Sequence, residues 1–92
     1  MTDKTIWKFP LRVDDIIDVD MPTGARILAV QTQHETPCIW ALVDPSAPKE
    51  IRRFRVFGTG YPIARAERLT YVGTFQVSDG ALVFHVFEEN AP

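Results

Sequence analysis

Apolar and polar residues alternate with a period of two along most of the chain, in short runs rich in β-branched and aromatic side chains, and clusters of Gly, Pro and Asp separate the runs. No window sustains helical periodicity, so the pattern predicts an all-β chain. The predicted strands are Thr5–Leu11, Ile16–Met21, Arg26–Gln33, Cys38–Val43, Glu50–Phe57, Leu69–Val77 and Ala81–Glu88. In the first, Trp7, Phe9 and Leu11 share a face, and Pro10 marks an edge or a break because proline donates no ladder hydrogen bond. In the second, Ile17, Val19 and Met21 alternate with Asp18 and Asp20, one face for the core and one for water. Cys38–Val43 is apolar on both faces and reads as a central strand, joined to the strand before it by the connection His34-Glu35-Thr36-Pro37.

Asp79-Gly80 is the strongest turn signal in the chain, since a two-residue loop of this type sets the register of both flanking strands. Pairing Ser78 with Ala81 puts Val77 opposite Leu82, Phe75 opposite Phe84 and Gly73 opposite Val86 on a core face. The other face then carries Val72, Thr74 and Gln76 against Phe87, His85 and Val83, a surface more apolar than a monomer needs to show to water. These six residues are the candidate interface for a homo-oligomer. The predicted architecture is a compact antiparallel β-sandwich or partly open barrel of about six to seven short strands.

A length of 92 residues with 46% hydrophobic and 11% aromatic content suits one folded domain, residues 1–92 with an ordered part from about 5 to 88 and short tails. The core of so small a domain is thin and leans on Trp7, Phe9, Trp40, Phe54, Phe75 and Phe84, which is a second reason to expect an oligomer. A net charge of −2 argues against general nucleic-acid or membrane-surface binding. With Cys38 alone there is neither an intramolecular disulfide nor a multi-cysteine zinc site, and a reducing compartment is expected. Met1–Lys4 leads straight into a strand without a signal-peptide core, and no run of about 18 apolar residues occurs, so neither signal-peptide secretion nor a membrane span is expected.

Charge is distributed unevenly. From Ile51 to Arg68 the chain carries Arg52, Arg53, Arg55, Arg65 and Arg68 against Glu67 alone, a local charge of +4 in a chain that is otherwise −6. The longest connection, from Gly58 to about Arg68, opens with Gly58-Thr59-Gly60-Tyr61, whose glycines suit a backbone anion nest. Arg53, Arg55, Gly58, Thr59, Gly60, Tyr61, Arg65 and Arg68 are therefore the candidate ligand residues, because guanidinium forks match phosphate and carboxylate oxygens. The competing reading is a plain turn whose arginines pair with the acidic N-terminal half. His34, His85 and Cys38 lack the spacing of a metal site or of a nucleophile and its base, so no catalytic residue, metal or cofactor is expected. Asp18 and Asp20 read as a solvated strand face before they read as a phosphate mimic.

Thr5-Ile6-Trp7-Lys8-Phe9-Pro10-Leu11, Met21-Pro22-Thr23-Gly24-Ala25, Trp40-Ala41-Leu42-Val43-Asp44-Pro45, Gly58-Thr59-Gly60-Tyr61-Pro62-Ile63, Tyr71-Val72-Gly73-Thr74-Phe75-Gln76 and Leu82-Val83-Phe84-His85-Val86-Phe87 together resemble a family of small uncharacterised phage proteins, a domain of unknown function. The resemblance implies phage origin and expression in a bacterial cytoplasm. Relatives read Gly-Thr-Gly-His-Pro-Ile in the loop, whereas Tyr61 stands here at the histidine position, which counts against catalysis there. The expected function is a non-enzymatic binding protein of phage origin, a host-takeover or anti-defence factor that binds a host protein or sequesters an anionic nucleotide-like ligand. The alternative is a homo-oligomeric structural or assembly protein.

Overall fold

Alternation builds the strands and prolines and glycines end them. The computed structural model describes residues 3–91 and contains β1 (Thr5–Pro10), β2 (Ile16–Pro22), β3 (Arg26–Gln33), β4 (Thr36–Val43), β5 (Lys49–Gly58), β6 (Leu69–Val77) and β7 (Leu82–Glu89). A single 3₁₀ turn at Ala66–Arg68 precedes β6. The strands form two antiparallel sheets, a three-stranded one in the order β1-β4-β3 and a four-stranded one in the order β2-β5-β7-β6, and no barrel closes. Among the described residues no helix is long and apolar enough to cross a membrane.

One core lies between the sheets. Val30, Ile39, Ala41 and Val43 from the first sheet meet Met21, Phe54, Val56, Phe75 and Val86 from the second, with Trp7, Phe9, Ile17, Val19 and Phe84 packed against them. Phe54 and Ile39 are wholly buried, and burial of side chains this size contributes roughly 2–3 kcal/mol each. Trp40 takes no part in this core; the alternation of β4 turns it outward, where it is half-buried beside Lys8 and Ala29. The sheets approach closely at Gly73, where an added Cβ would lie 2.8 Å from Cβ of Val30.

The β3–β4 connection is shorter than expected. Thr36 and Pro37 belong to β4, and the turn is His34-Glu35 alone, both residues at positive φ (50° and 66°). In the last hairpin the expected pairs Val77↔Leu82, Phe75↔Phe84 and Gly73↔Val86 all occur. The turn adds one feature: Ser78 itself has φ 55°, and its N–H donates to the Glu35 carboxylate at 2.7 Å, joining the two tight turns.

Two bulges shift side chains from the face that strict alternation assigns. One, between Ile27 and Ala29, leaves Leu28 44% exposed and sends Ile27 to the core side, away from Ala29 and Gln31. The other, between Tyr71 and Gly73, pairs Tyr71 rather than Val72 with Phe87. Val72 packs against the core and is not part of the outer face expected of it; an extra residue in one strand reverses the facing of everything before it.

The sheet order has one topological demand. Since β5 and β6 are each antiparallel to β7 and flank it, they are parallel to each other. The connection between them must therefore return along the whole sheet, from the level of Phe84, beside Gly58, to the level of Glu89, beside Leu69. Residues 59–68 are this crossover, a strap across the outward side of the four-stranded sheet.

Candidate anion-binding site beneath the crossover

The outward face of the four-stranded sheet carries rows set by register. Ile16, Arg55, Phe87 and Tyr71 form one row, and Phe57, His85 and Thr74 the next. Phe87 meets Phe57 and Tyr71 edge to face, with ring centroids 5.8 and 5.5 Å apart. His85 joins hydroxyls on both sides, Nε2 to Thr59 Oγ1 at 2.7 Å and Nδ1 to Thr74 Oγ1 at 3.0 Å, and Thr74 Oγ1 continues to the Tyr71 hydroxyl at 2.6 Å. The strap and these contacts leave Phe87, His85 and Thr74 half-buried, so this part of the predicted interface is already engaged within the chain, while Gln76 stays exposed and Val83 half-buried.

Between strap and sheet runs a groove of about 940 Å³, lined on the sheet side by Arg55, Phe57 and Glu89 and on the strap side by Pro62, Arg65 and Arg68. A second hollow of about 600 Å³ continues from it, sharing Arg55, Phe57 and Pro62 and reaching Gly58, Tyr61 and the Val13–Asp15 segment. The strap is anchored at its far end, where Asn90 donates its backbone N–H to the Arg68 carbonyl at 2.9 Å. Arg65 lies at φ 55°, ψ 47° immediately before the 3₁₀ turn. That left-handed conformation costs a non-glycine residue about 1 kcal/mol.

The arginines divide into two groups. Arg52 points inward and forms a two-pronged pair with Glu88, 2.6 and 2.8 Å, with a further bond to the Ala25 carbonyl. Arg53, opposite Asp18 in the ladder, holds it at 2.8 and 3.1 Å, and that hydrogen bond, aided by the guanidinium charge, lowers the Asp18 pKa below its ordinary value. Arg53 follows the competing reading in which the arginines pair with the acidic N-terminal half, whereas Arg52 takes its partner from β7.

Arg55 differs. Its guanidinium stands 5.6 Å from the Phe57 ring centroid, its nearest carboxylate oxygen is on Glu89 at 3.8 Å, and its buried Nε has no hydrogen-bond partner. Arg65 and Arg68 make no side-chain ion pair among the described residues. Arg55, Arg65 and Arg68 thus share one groove, and Arg53 lies outside it, committed to Asp18.

The glycines of the loop serve the backbone. Tyr61 donates its N–H to the Gly58 carbonyl at 3.2 Å, closing a turn in which Gly60 takes φ 90°. At Gly58 a Cβ would come within 2.7 Å of the Tyr61 ring, so any larger residue there displaces that ring. Thr59 is held by His85, and of the stretch Gly58-Thr59-Gly60-Tyr61 only Gly58 and Tyr61 line a hollow, together with Arg55.

The profile described as Domain of unknown function (DUF7352) matches residues 2–92. The chain belongs to the DUF7352 family. No curated protein and no solved structure matches it. In this DUF7352 domain, residues absent from the sequence-based site complete the groove: Phe57 beneath Arg55, Pro62 on the strap, and Glu89 with Asn90 at the end of β7. Their signal was topological, since only the parallel placement of β5 and β6 brings the strap over β7. Among the described residues of this DUF7352 chain no group of three or more His, Cys, Asp or Glu is arranged to hold a metal ion.

Proposed function

We propose that this protein is a non-enzymatic binding protein that sequesters an anionic, nucleotide-like ligand in the groove under the 59–68 strap. The observation that carries this reading is Arg55: a half-buried guanidinium whose one ion pair among the described residues is the long 3.8 Å contact to Glu89, its Nε unpartnered, in a groove shared with Arg65 and Arg68. A buried charged donor without an acceptor is costly, and phosphate oxygens are acceptors that fit a guanidinium fork. The Phe57 ring adds an apolar wall suited to an anion that also has an aromatic part. The resemblance to phage proteins suits the same role, a phage product acting in the bacterial cytoplasm as a host-takeover or anti-defence factor by removing a nucleotide signal.

Isothermal titration with nucleoside triphosphates and with inorganic tripolyphosphate tests the reading. The expected result is salt-sensitive binding that falls at least about tenfold in Arg65→Ala/Arg68→Ala and stays within about twofold in Arg53→Ala. No binding of any of these anions at low salt, in a protein that is folded, overturns it.

A second reading, homo-oligomeric assembly or docking to a host protein, is supported by the aromatic run Phe57–Phe87–Tyr71, which ends on a Tyr71 that is 57% exposed. It expects a defined oligomer in sedimentation velocity that Tyr71→Lys dissociates.

A further inference from the structure

The two hollows adjoin at Arg55, Phe57 and Pro62, which line both, and taken together they make a trough whose two ends differ in charge. One end carries Arg65 and Arg68 together with Glu67 and Glu89, and with the shared Arg55 it has one basic group in excess; the other carries Asp14 and Asp15 against Arg55 alone. The acidic end is built into the fold: Val56 donates its N–H to the Asp15 carbonyl at 3.1 Å, which fixes the 13–15 segment alongside β5. Asp14 spends one carboxylate oxygen, Oδ1, on the Asp15 N–H at 2.8 Å, and the Asp15 carboxylate accepts no hydrogen bond among the described residues. A second phosphate would be repelled here, so whatever occupies this end must bring N–H donors.

The same end has a flat apolar wall. Tyr61 is 71% exposed, its ring lies over Gly58, and Val13 of the same hollow is 48% exposed. An exposed ring offers a free face for stacking. Phosphate at one end, a stacking wall and carboxylate acceptors at the other make a pattern of requirements on a single molecule. Among the bases, guanine presents two adjacent parallel donors, N1–H and the N2 amino group, which match the two oxygens of one carboxylate. Adenine and cytosine present an amino group alone, and uracil presents one N–H between two carbonyls that Asp14 and Asp15 would repel.

We infer that the trough is a guanine-nucleotide site, with the phosphates on Arg55, Arg65 and Arg68, the base against Tyr61, and the guanine N–H donors on the Asp14 and Asp15 carboxylates. This rests on the anion-capture reading and adds to it the identity of the base. The test is titration with GTP, ITP, UTP and tripolyphosphate in magnesium-free buffer, on the parent protein and on Asp14→Asn/Asp15→Asn. ITP lacks only the N2 amino group and so isolates its contribution. GTP is expected to bind about tenfold more tightly than ITP, UTP or tripolyphosphate. The Asn pair should bring GTP to the level of the others and leave tripolyphosphate affinity unchanged. Asp14 and Asp15 are exposed, and an unchanged melting temperature confirms that the variant is folded. Equal affinity for GTP and tripolyphosphate, or a GTP preference that survives the Asn pair, overturns the base assignment while anion capture stands. Failure of all four to bind overturns both.

Discussion

Gly73→Ala is expected to be costly out of proportion to its one added methyl group. The new Cβ would lie 2.8 Å from Val30 Cβ and 3.0 Å from Val30 Cγ2, whereas carbon atoms in contact prefer about 3.5–4.0 Å. A Cβ has no rotamer by which to move aside, and Val30, only 7% exposed, is itself held by the core. The strands must therefore separate by several tenths of an ångström along the seam where β3 meets β6. Overpacking of this kind costs about 1–3 kcal/mol, and the alanine recovers roughly 0.5–1 kcal/mol by stiffening the unfolded chain. A net loss of about 2 kcal/mol at the upper end of that range corresponds, in a domain of this size, to a fall in Tm of roughly 8–16 °C. Circular dichroism melts measure it directly. Val30→Gly should be destabilising alone by loss of burial, but combined with Gly73→Ala it moves the side-chain volume to the other strand, and the pair should be coupled by at least about 1 kcal/mol. A Gly73→Ala protein melting above the parent, the gain alone with no clash to offset it, would mean that the two sheets do not meet at this point.

Glu88→Gln removes the charge that faces Arg52, whose side chain is 18% exposed, and is expected to cost about 2 kcal/mol by urea denaturation with an unchanged m value. Replacing Arg65 by Gly relieves its left-handed strain and should raise stability by up to about 1 kcal/mol while weakening anion binding, whereas Arg65→Ala should weaken binding without the gain. The pKa of Asp18 is lowered by its bond to Arg53 and that of Asp44 by the Ser46 hydroxyl and N–H, both from an ordinary value of 3.8. A carboxylate whose folded pKa is depressed stabilises above its unfolded pKa, and that contribution disappears as pH falls through the lowered value. Melting temperature should therefore drop on acidification below pH 3.8, and Asp18→Asn/Asp44→Asn should flatten that part of the profile; an unchanged profile would refute the assignment.

Strand positions and the register of the last hairpin were legible because alternation and turn chemistry agree there, as at Asp79-Gly80. The facing of Val72 was not. A β-branched residue suits either side of a sheet, and the bulge that turns it inward depends on how closely Gly73 approaches Val30 in a different strand. The arginine cluster was visible as charge, but its division was not. Arg53 is claimed by Asp18 and Arg52 by Glu88 because β2 and β7 flank or face β5, and strand order leaves no mark in local sequence. Asp14 and Asp15 carry no mark of a site in local sequence; their position beside Arg55 and Tyr61 follows from a backbone bond between Asp15 and Val56.

The place of β7 has a consequence for how the molecule is made. It follows every other strand in chain order, yet it lies between β5 and β6 and supplies ladder hydrogen bonds to both. During synthesis from the N-terminus, the β1-β4-β3 sheet and the β2–β5 pair have their partners early, whereas β6 waits without a neighbour in its own sheet until β7 emerges. For that interval its edge and the aromatic residues later covered by the strap are open to other chains. Pairing of β7 with β6 is a local hairpin, but docking of that hairpin onto β5 is a non-local event and a slow one, which makes the nascent form, rather than the finished domain, the species most exposed to chaperones and to aggregation.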